Sequence, residues 1–196
     1  MEKQRKMSTR TMVLGALLTA LVVILQFMGS FIKFGMFSIS LVLIPIAIGA
    51  ITCGKRMSTW LGLVFGAVVL ASGDAAAFLV VNVPGTIITV LLKGVACGFF
   101  AGLVYELIAK ATNKTYIAAV SAALVCPIAN TGVFLLGCLA FFMETIAVWA
   151  EGLGFGTDVG RYMIFGLVGG NFLFEMAVNI ILAPAIVHII KVVSKK

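Results

Sequence analysis

Long apolar runs alternate with short polar segments along the 196 residues of the chain. A helix of about 20 apolar residues is long enough to cross a hydrocarbon core of about 30 Å. The pattern predicts an all-α integral membrane protein that forms one membrane-embedded domain over residues 1–196, with a basic tail at 1–10. Six transmembrane helices are expected, at about residues 11–32, 39–53, 58–71, 84–109, 116–142 and 162–187.

Some segments do not fit a simple span. The second run contains Pro45 and Gly49 and is short, which favours a kinked or partly re-entrant helix. Residues 75–83 are apolar but too short to cross, so they fit a half-helix or a lid, whereas residues 144–158 are expected to be a connection. The first run exceeds the usual signal-peptide core and lacks a clear cleavage site, so it is predicted to stay as a transmembrane helix.

Composition and charge agree with a membrane location. The chain is 62% hydrophobic and 11% charged, too little polar surface for a water-soluble globule. Its net charge of +7 could suggest nucleic acid, but the basic residues lie in short segments between spans, so we expect a bilayer and no nucleic-acid partner. We predict that both termini are cytoplasmic, because only Lys33 and Arg161 then fall outside and eleven basic residues fall inside. These are Lys3, Arg5, Lys6, Arg10, Lys55, Arg56, Lys110, Lys114, Lys191, Lys195 and Lys196.

Lys93 is the residue that fits its surroundings least, because it lies within the apolar run 87–107. A cation at membrane depth costs at least about 2.5 kcal/mol and normally faces a bundle interior or a polar cavity. If Pro84 begins the helix, Lys93 lies about 13 Å along it, near the middle of the bilayer. The alternative is that its aliphatic stem lets the ammonium snorkel to the headgroups.

The fifth run combines Pro127 with Asn130 and Thr131 inside an apolar helix. Proline frees a backbone carbonyl, and a carboxamide offers both donors and acceptors, so these residues predict a polar wall for a ligand. The alternative role for Asn130 is an ordinary hydrogen bond between helices.

In the sixth run, Asn171 and Glu175 are spaced i, i+4 and therefore share one helix face. A buried carboxylate must be protonated, paired or hydrated, and Lys93 is the intramembrane cation available to it. A Lys93–Glu175 pair and a role for both residues in ligand binding are therefore competing interpretations.

Enzyme chemistry is not expected. His188 is the single histidine and lies at the end of the last run, and the four cysteines are scattered without metal-ligand spacing. We predict no catalytic residue, metal or cofactor.

These features together resemble the substrate-binding S components of energy-coupling factor (ECF) vitamin transporters, in the branch with pantothenate, folate and riboflavin binders. The resemblance covers nearly the whole chain. It rests on Ala16-x-x-x-Ala20, the run Ser40 to Pro45 with Gly49, Gly54, Gly62 and Gly66 after it, Pro127-Ile-Ala-Asn-Thr131, and Asn171-Phe-x-x-Glu175.

The resemblance implies high-affinity vitamin binding in a prokaryotic plasma membrane, with a transmembrane coupling protein and two cytosolic ATPases as partners. It implies that Ala16 and Ala20 dock the coupling protein. Pantothenate binders similarly combine a cation in helix 4 with an asparagine in helix 5, where Lys93 and Asn130 stand, although lysine replaces their arginine. The alternative is a stand-alone secondary transporter or ion-coupled channel that uses Lys93 and Glu175.

Overall fold

The structure is a computed structural model, and it describes residues 9–31, 33–34, 37–38 and 41–194, with side chains over 9–31 and 41–182. A short antiparallel hairpin follows the first helix, and helices make up the rest of the ordered elements in these ranges. In chain order they are α1 (Thr9–Ser30), β1 (Lys33–Phe34), β2 (Phe37–Ser38), α2 (Leu43–Cys53), α3 (Lys55–Ala71), α4 (Ala76–Leu79), α5 (Val83–Thr112), α6 (Thr115–Phe141), α7 (Met143–Gly152), α8 (Val159–Arg161), a π-helical segment (Tyr162–Gly169) and α9 (Gly170–Ser194).

Four helical stretches of the described chain are long and apolar enough to cross a membrane. They are α1, α5, α6 and the continuous stretch Val159–Leu182, which confirms the prediction of a helical membrane protein. By contrast α2 has 11 residues and is about 16 Å long, too short to cross a bilayer alone. It joins α3 directly through Gly54, whose φ of +84° is readily adopted only by glycine.

Helix α7 lies within the predicted connection at residues 144–158, and the sequence did not predict that this connection contains a helix. Ile146 and Ala150 are one turn apart and both buried, and Glu144 lies in the first turn, where a carboxylate favours a helix. With 10 residues the helix is too short to stand out as a span. The wide turns of the π-helical segment were also not predicted, although such segments are often found at functional sites.

Helix α5 is central to the bundle, because it packs against α3 and against α6, while α9 packs on α6. The α3–α5 contact depends on glycine: a Cβ atom at Gly62 would overlap the Gly94 carbonyl, and one at Gly98 would overlap the Ser58 carbonyl. The Ser58 hydroxyl donates to the Gly98 carbonyl oxygen at 2.7 Å. Small residues thus bring two backbones together, as is common in membranes, where no hydrophobic drive acts between helices.

The apolar interior contains two larger clusters of buried side chains. One joins α1, α2, α3 and α5 and includes Phe65. The other is aromatic and joins α4, α6, α7 and the π-helical segment. In it the Phe78 ring meets Phe142 edge-on at 4.9 Å between centroids, and Trp149 at 5.4 Å. This second cluster holds the short helices against the long ones.

We predict that Gly98→Ala destabilises the protein, because the new methyl group meets the backbone of α3 rather than a flexible side chain. Overpacking of this kind costs about 1 to 3 kcal/mol. Gly132→Ala is the matched control, since nothing lies within 4 Å of its Cβ position in α6. Thermal unfolding in detergent should show a lower midpoint for Gly98→Ala alone, and equal midpoints would contradict the packing described here.

Candidate functional site

A cavity lies between α1, the α3–α4 turn, α5, α6, the π-helical segment and α9. Its wall is mixed, with a cation, an anion, carboxamides and a hydroxyl set among aliphatic and aromatic side chains. The polar lining residues are Gln26, Asp74, Lys93, Asn130, Thr131 and Asn171. The apolar ones are Val69, Ala75, Phe78, Val90, Phe134, Leu167 and Val168.

Lys93 lies on α5, about 15 Å from the first residue of that helix at 1.5 Å per residue. Its ammonium is 5.6 Å from the centroid of the Phe65 ring and 5.3 Å from that of Phe134. An ammonium within about 6 Å of a ring centroid is attracted by the ring quadrupole. These contacts hold the cation at the cavity wall while leaving its N–H donors for other acceptors.

Asn130 is buried on α6, one turn after Pro127. Its Oδ1 atom has no hydrogen-bond partner among the described residues. A buried acceptor without a partner costs about 1 to 3 kcal/mol, so this oxygen favours any donor that enters the cavity. Thr131 follows it and adds a hydroxyl to the same wall.

Asn171 and Glu175 interact along α9. The Asn171 Nδ2 donates to Glu175 Oε1 at 3.0 Å, and Asn179 Nδ2 donates to the backbone oxygen of Glu175 at 2.8 Å. Glu175 is only 2% exposed and is not among the residues that line the cavity. Four of the five predicted ligand residues therefore share one cavity, and Glu175 lies one turn behind Asn171, which it helps to orient.

Gln26 and Asp74 also line the cavity, although the sequence did not predict either as a ligand residue. Gln26 Nε2 donates to Asp74 Oδ2 at 2.5 Å, and the hydroxyls of Ser30 and Ser72 donate to the same oxygen at 2.9 and 3.2 Å. Gln26 is a carboxamide inside an apolar span, the same signal that identified Asn130. Asp74 gave a weaker signal, because a charged residue in a turn between spans is ordinary.

Ala16 and Ala20 lie away from the cavity. Both are exposed on α1, whereas Gly15, Leu18 and Val22 of the same helix are buried against the bundle. The two alanines therefore form part of the outer surface.

The cavity wall presents charged and hydrogen-bonding groups to any molecule that enters it. Among residues 9–31 and 41–182, no three His, Cys, Asp or Glu side chains gather where they could hold a metal ion. The wall offers one ammonium, one carboxylate and several neutral hydrogen-bonding groups between the helices. A wall of this composition suits a small molecule with polar groups.

A comparison with protein families decides the class. The family model described as ECF transporter, substrate-specific component, matches residues 10–187. The chain belongs to this family. No curated protein and no solved structure matches the chain. The S component is thus a multi-pass membrane protein that binds a small-molecule substrate for transport and is not an enzyme. Membership implies that it works with a transmembrane coupling protein and an ATPase module.

Proposed function

We propose that this S component binds a small carboxylate-bearing vitamin, such as pantothenate, and belongs to the branch of pantothenate, folate and riboflavin binders. The observation that carries the proposal is the Lys93 ammonium, placed at the wall of a cavity inside the bundle and held there by aromatic rings. A cation kept at this depth without function would be a net cost, whereas an anionic ligand compensates it.

The rest of the wall supports the same ligand class. Asn130 and Asn171 each have a buried Oδ1 with no partner among the described side chains, and Thr131 adds a hydroxyl. These groups suit amides and hydroxyls, and Phe78, Val90 and Phe134 suit the aliphatic part of a small vitamin. Lysine supplies a point charge with three rotatable donors instead of a planar fork, so the carboxylate need not be held in one bidentate geometry.

We also propose an orientation in the membrane, and with it a direction of transport. We place both termini in the cytoplasm of a prokaryotic cell, six helices in its plasma membrane, and the cavity within reach of the outside, because basic residues then collect on the inner face. Two cytosolic ATPases would drive release of the ligand to the inside through the coupling protein.

Cysteine labelling tests this orientation. In a Cys-free variant, a single cysteine at Glu151 should react with an impermeant maleimide in intact cells, because α7 would face outside. A cysteine at Thr112, at the end of α5, should react only after permeabilisation. Both positions are exposed in the structure and lie at the ends of their helices. The reverse pattern at either position would refute the proposed topology.

Docking of the coupling protein is assigned to the exposed small face of α1. Ala16→Leu with Ala20→Leu should abolish vitamin uptake in cells yet leave binding by the isolated S component unchanged, because small residues are what allow another helix to approach closely. Ala140→Leu, at an exposed alanine on α6, is the control and should keep uptake. Loss of binding with complex assembly intact would exclude this surface.

Lys93→Met tests the ligand. The substitution keeps most of the stem but removes the charge, and a charge-assisted hydrogen bond is worth about 1.5 to 3 kcal/mol. Pantothenate binding, measured by isothermal titration calorimetry, should therefore weaken by roughly 10- to 100-fold. Lys110→Met, at the exposed end of the same helix, should bind like the parent.

Pantothenamide, in which an amide replaces the carboxylate, is the second ligand of a double-mutant cycle that changes both the protein and the ligand. The parent should bind it less tightly than pantothenate, and Lys93→Met should hardly distinguish the two, since both changes remove one interaction. If the two losses simply add, Lys93 does not hold the carboxylate.

A further inference from the structure

We propose that Asp74 is a second specificity determinant of the cavity, which selects a ligand with hydroxyl or N–H donors on a part of the molecule away from its carboxylate. The proposal rests on the proposed function, because it takes Lys93 as the site of the carboxylate. It narrows the substrate from any carboxylate-bearing vitamin to a monocarboxylate with a donor-rich end.

The Asp74 carboxylate is held rigidly. It lies in the α3–α4 turn after Gly73, whose φ of +84° sets the direction of the chain there. Three neutral donors, from Gln26 and Ser30 of α1 and from Ser72 beside it, all converge on Oδ2. Within the part of the chain that the structure describes, Oδ1 accepts no hydrogen bond.

This arrangement leaves an oriented acceptor on the cavity wall. An ionised carboxylate has about four lone-pair sites, and the fixed donors use one oxygen only. The donors that hold it are two hydroxyls and a carboxamide, which are neutral and do not cancel its charge. The second oxygen can therefore accept strong hydrogen bonds from a ligand, and preorganisation means that little ordering cost remains on binding.

The opposite charges of Lys93 and Asp74 determine the orientation in which a ligand binds in the cavity. A ligand carboxylate is attracted by Lys93 and repelled by Asp74, so it goes to the lysine, and the donors of the same molecule go to the aspartate. A dicarboxylate, or a ligand whose other end has only acceptors, meets repulsion at Asp74. Pantothenate, with one carboxylate and two hydroxyls, has the required pattern, and the glutamyl dicarboxylate of folate does not.

A purely structural role is the alternative, in which Asp74 only ties α1 to the α3–α4 turn. Asp74→Asn separates the two roles, because its amide oxygen can still accept from Gln26 and Ser30 while its NH₂ group replaces the ligand-facing acceptor by a donor. Ser72→Ala is the matched control, since it removes one hydrogen bond to Oδ2 and leaves Oδ1 unchanged.

The experiment measures calorimetric binding of three probes: pantothenate, pantothenamide, and the analogue in which hydrogen replaces both hydroxyls. For the parent and for Ser72→Ala, loss of the hydroxyls should weaken binding by about 10- to 100-fold. In Asp74→Asn this penalty should shrink to less than about threefold, because the acceptor is gone, while the penalty for the amide should stay as in the parent.

The outcomes separate this inference from the one on which it rests. If the amide penalty is present but the hydroxyl penalty is the same in Asp74→Asn as in the parent, only the role of Asp74 is overturned. If the parent does not bind pantothenate, or binds the amide equally well, the proposed ligand falls and this inference with it. If the parent binds the deoxygenated analogue less than about threefold more weakly than pantothenate, the role of Asp74 is refuted whether or not Asp74→Asn folds.

Discussion

Polar groups inside an apolar bundle must be compensated, and this constraint explains most of what is specific about the structure. An ammonium and three carboxamides line the cavity from α1, α5, α6 and α9, and a carboxylate lines it from the α3–α4 turn. An uncompensated polar group inside an apolar bundle is costly. The protein itself compensates part of this polarity, because aromatic rings lie near Lys93 and three donors bind Asp74 Oδ2. The polar atoms that remain uncompensated line the cavity wall, where a ligand of complementary polarity can bind them.

Close helix packing makes this arrangement rigid. Gly62, Gly94 and Gly98 let the backbones of α3 and α5 touch, so the helix that carries Lys93 has little freedom to shift against the one that carries Phe65. On the other side, the aromatic cluster around Phe78 joins the short helices to α6 and borders the cavity through Phe78 and Phe134. Most of the cavity wall is thus built on packed helices, which favours precise placement of the polar groups.

The sequence predicted the site to the extent that its residues conflict with their surroundings. Lys93, Asn130 and Asn171 are polar residues in apolar runs, and each lines the same cavity. Helical spacing placed Glu175 on the face of Asn171 but could not tell whether it reaches the cavity, since that depends on how α9 is rotated against α6. Asp74 looked like an ordinary turn residue, because its importance arises only when α1 brings Gln26 to it.

The sequence likewise predicted some elements of the fold and not others. Long apolar runs specify long helices whatever their neighbours are, and α1, α5 and α6 are where they were expected. Short elements depend on tertiary contacts. Helix α7 forms because Ile146 and Ala150 can be buried in the aromatic cluster, and its 10 residues are too few to be recognised as a span from the sequence. The single-residue break at Gly54 likewise requires knowledge that α2 and α3 turn back on one another.

We propose that Lys93 marks a cavity for a carboxylate-bearing vitamin. Native mass spectrometry of the S component, purified in mild detergent from cells grown in rich medium, tests it most directly, because it identifies the molecule that the protein itself retains. We expect one bound small molecule with a single carboxylate and hydroxyl or N–H donors, present on the parent and largely lost from Lys93→Met. A retained molecule without a carboxylate, or one kept equally by both proteins, would contradict it.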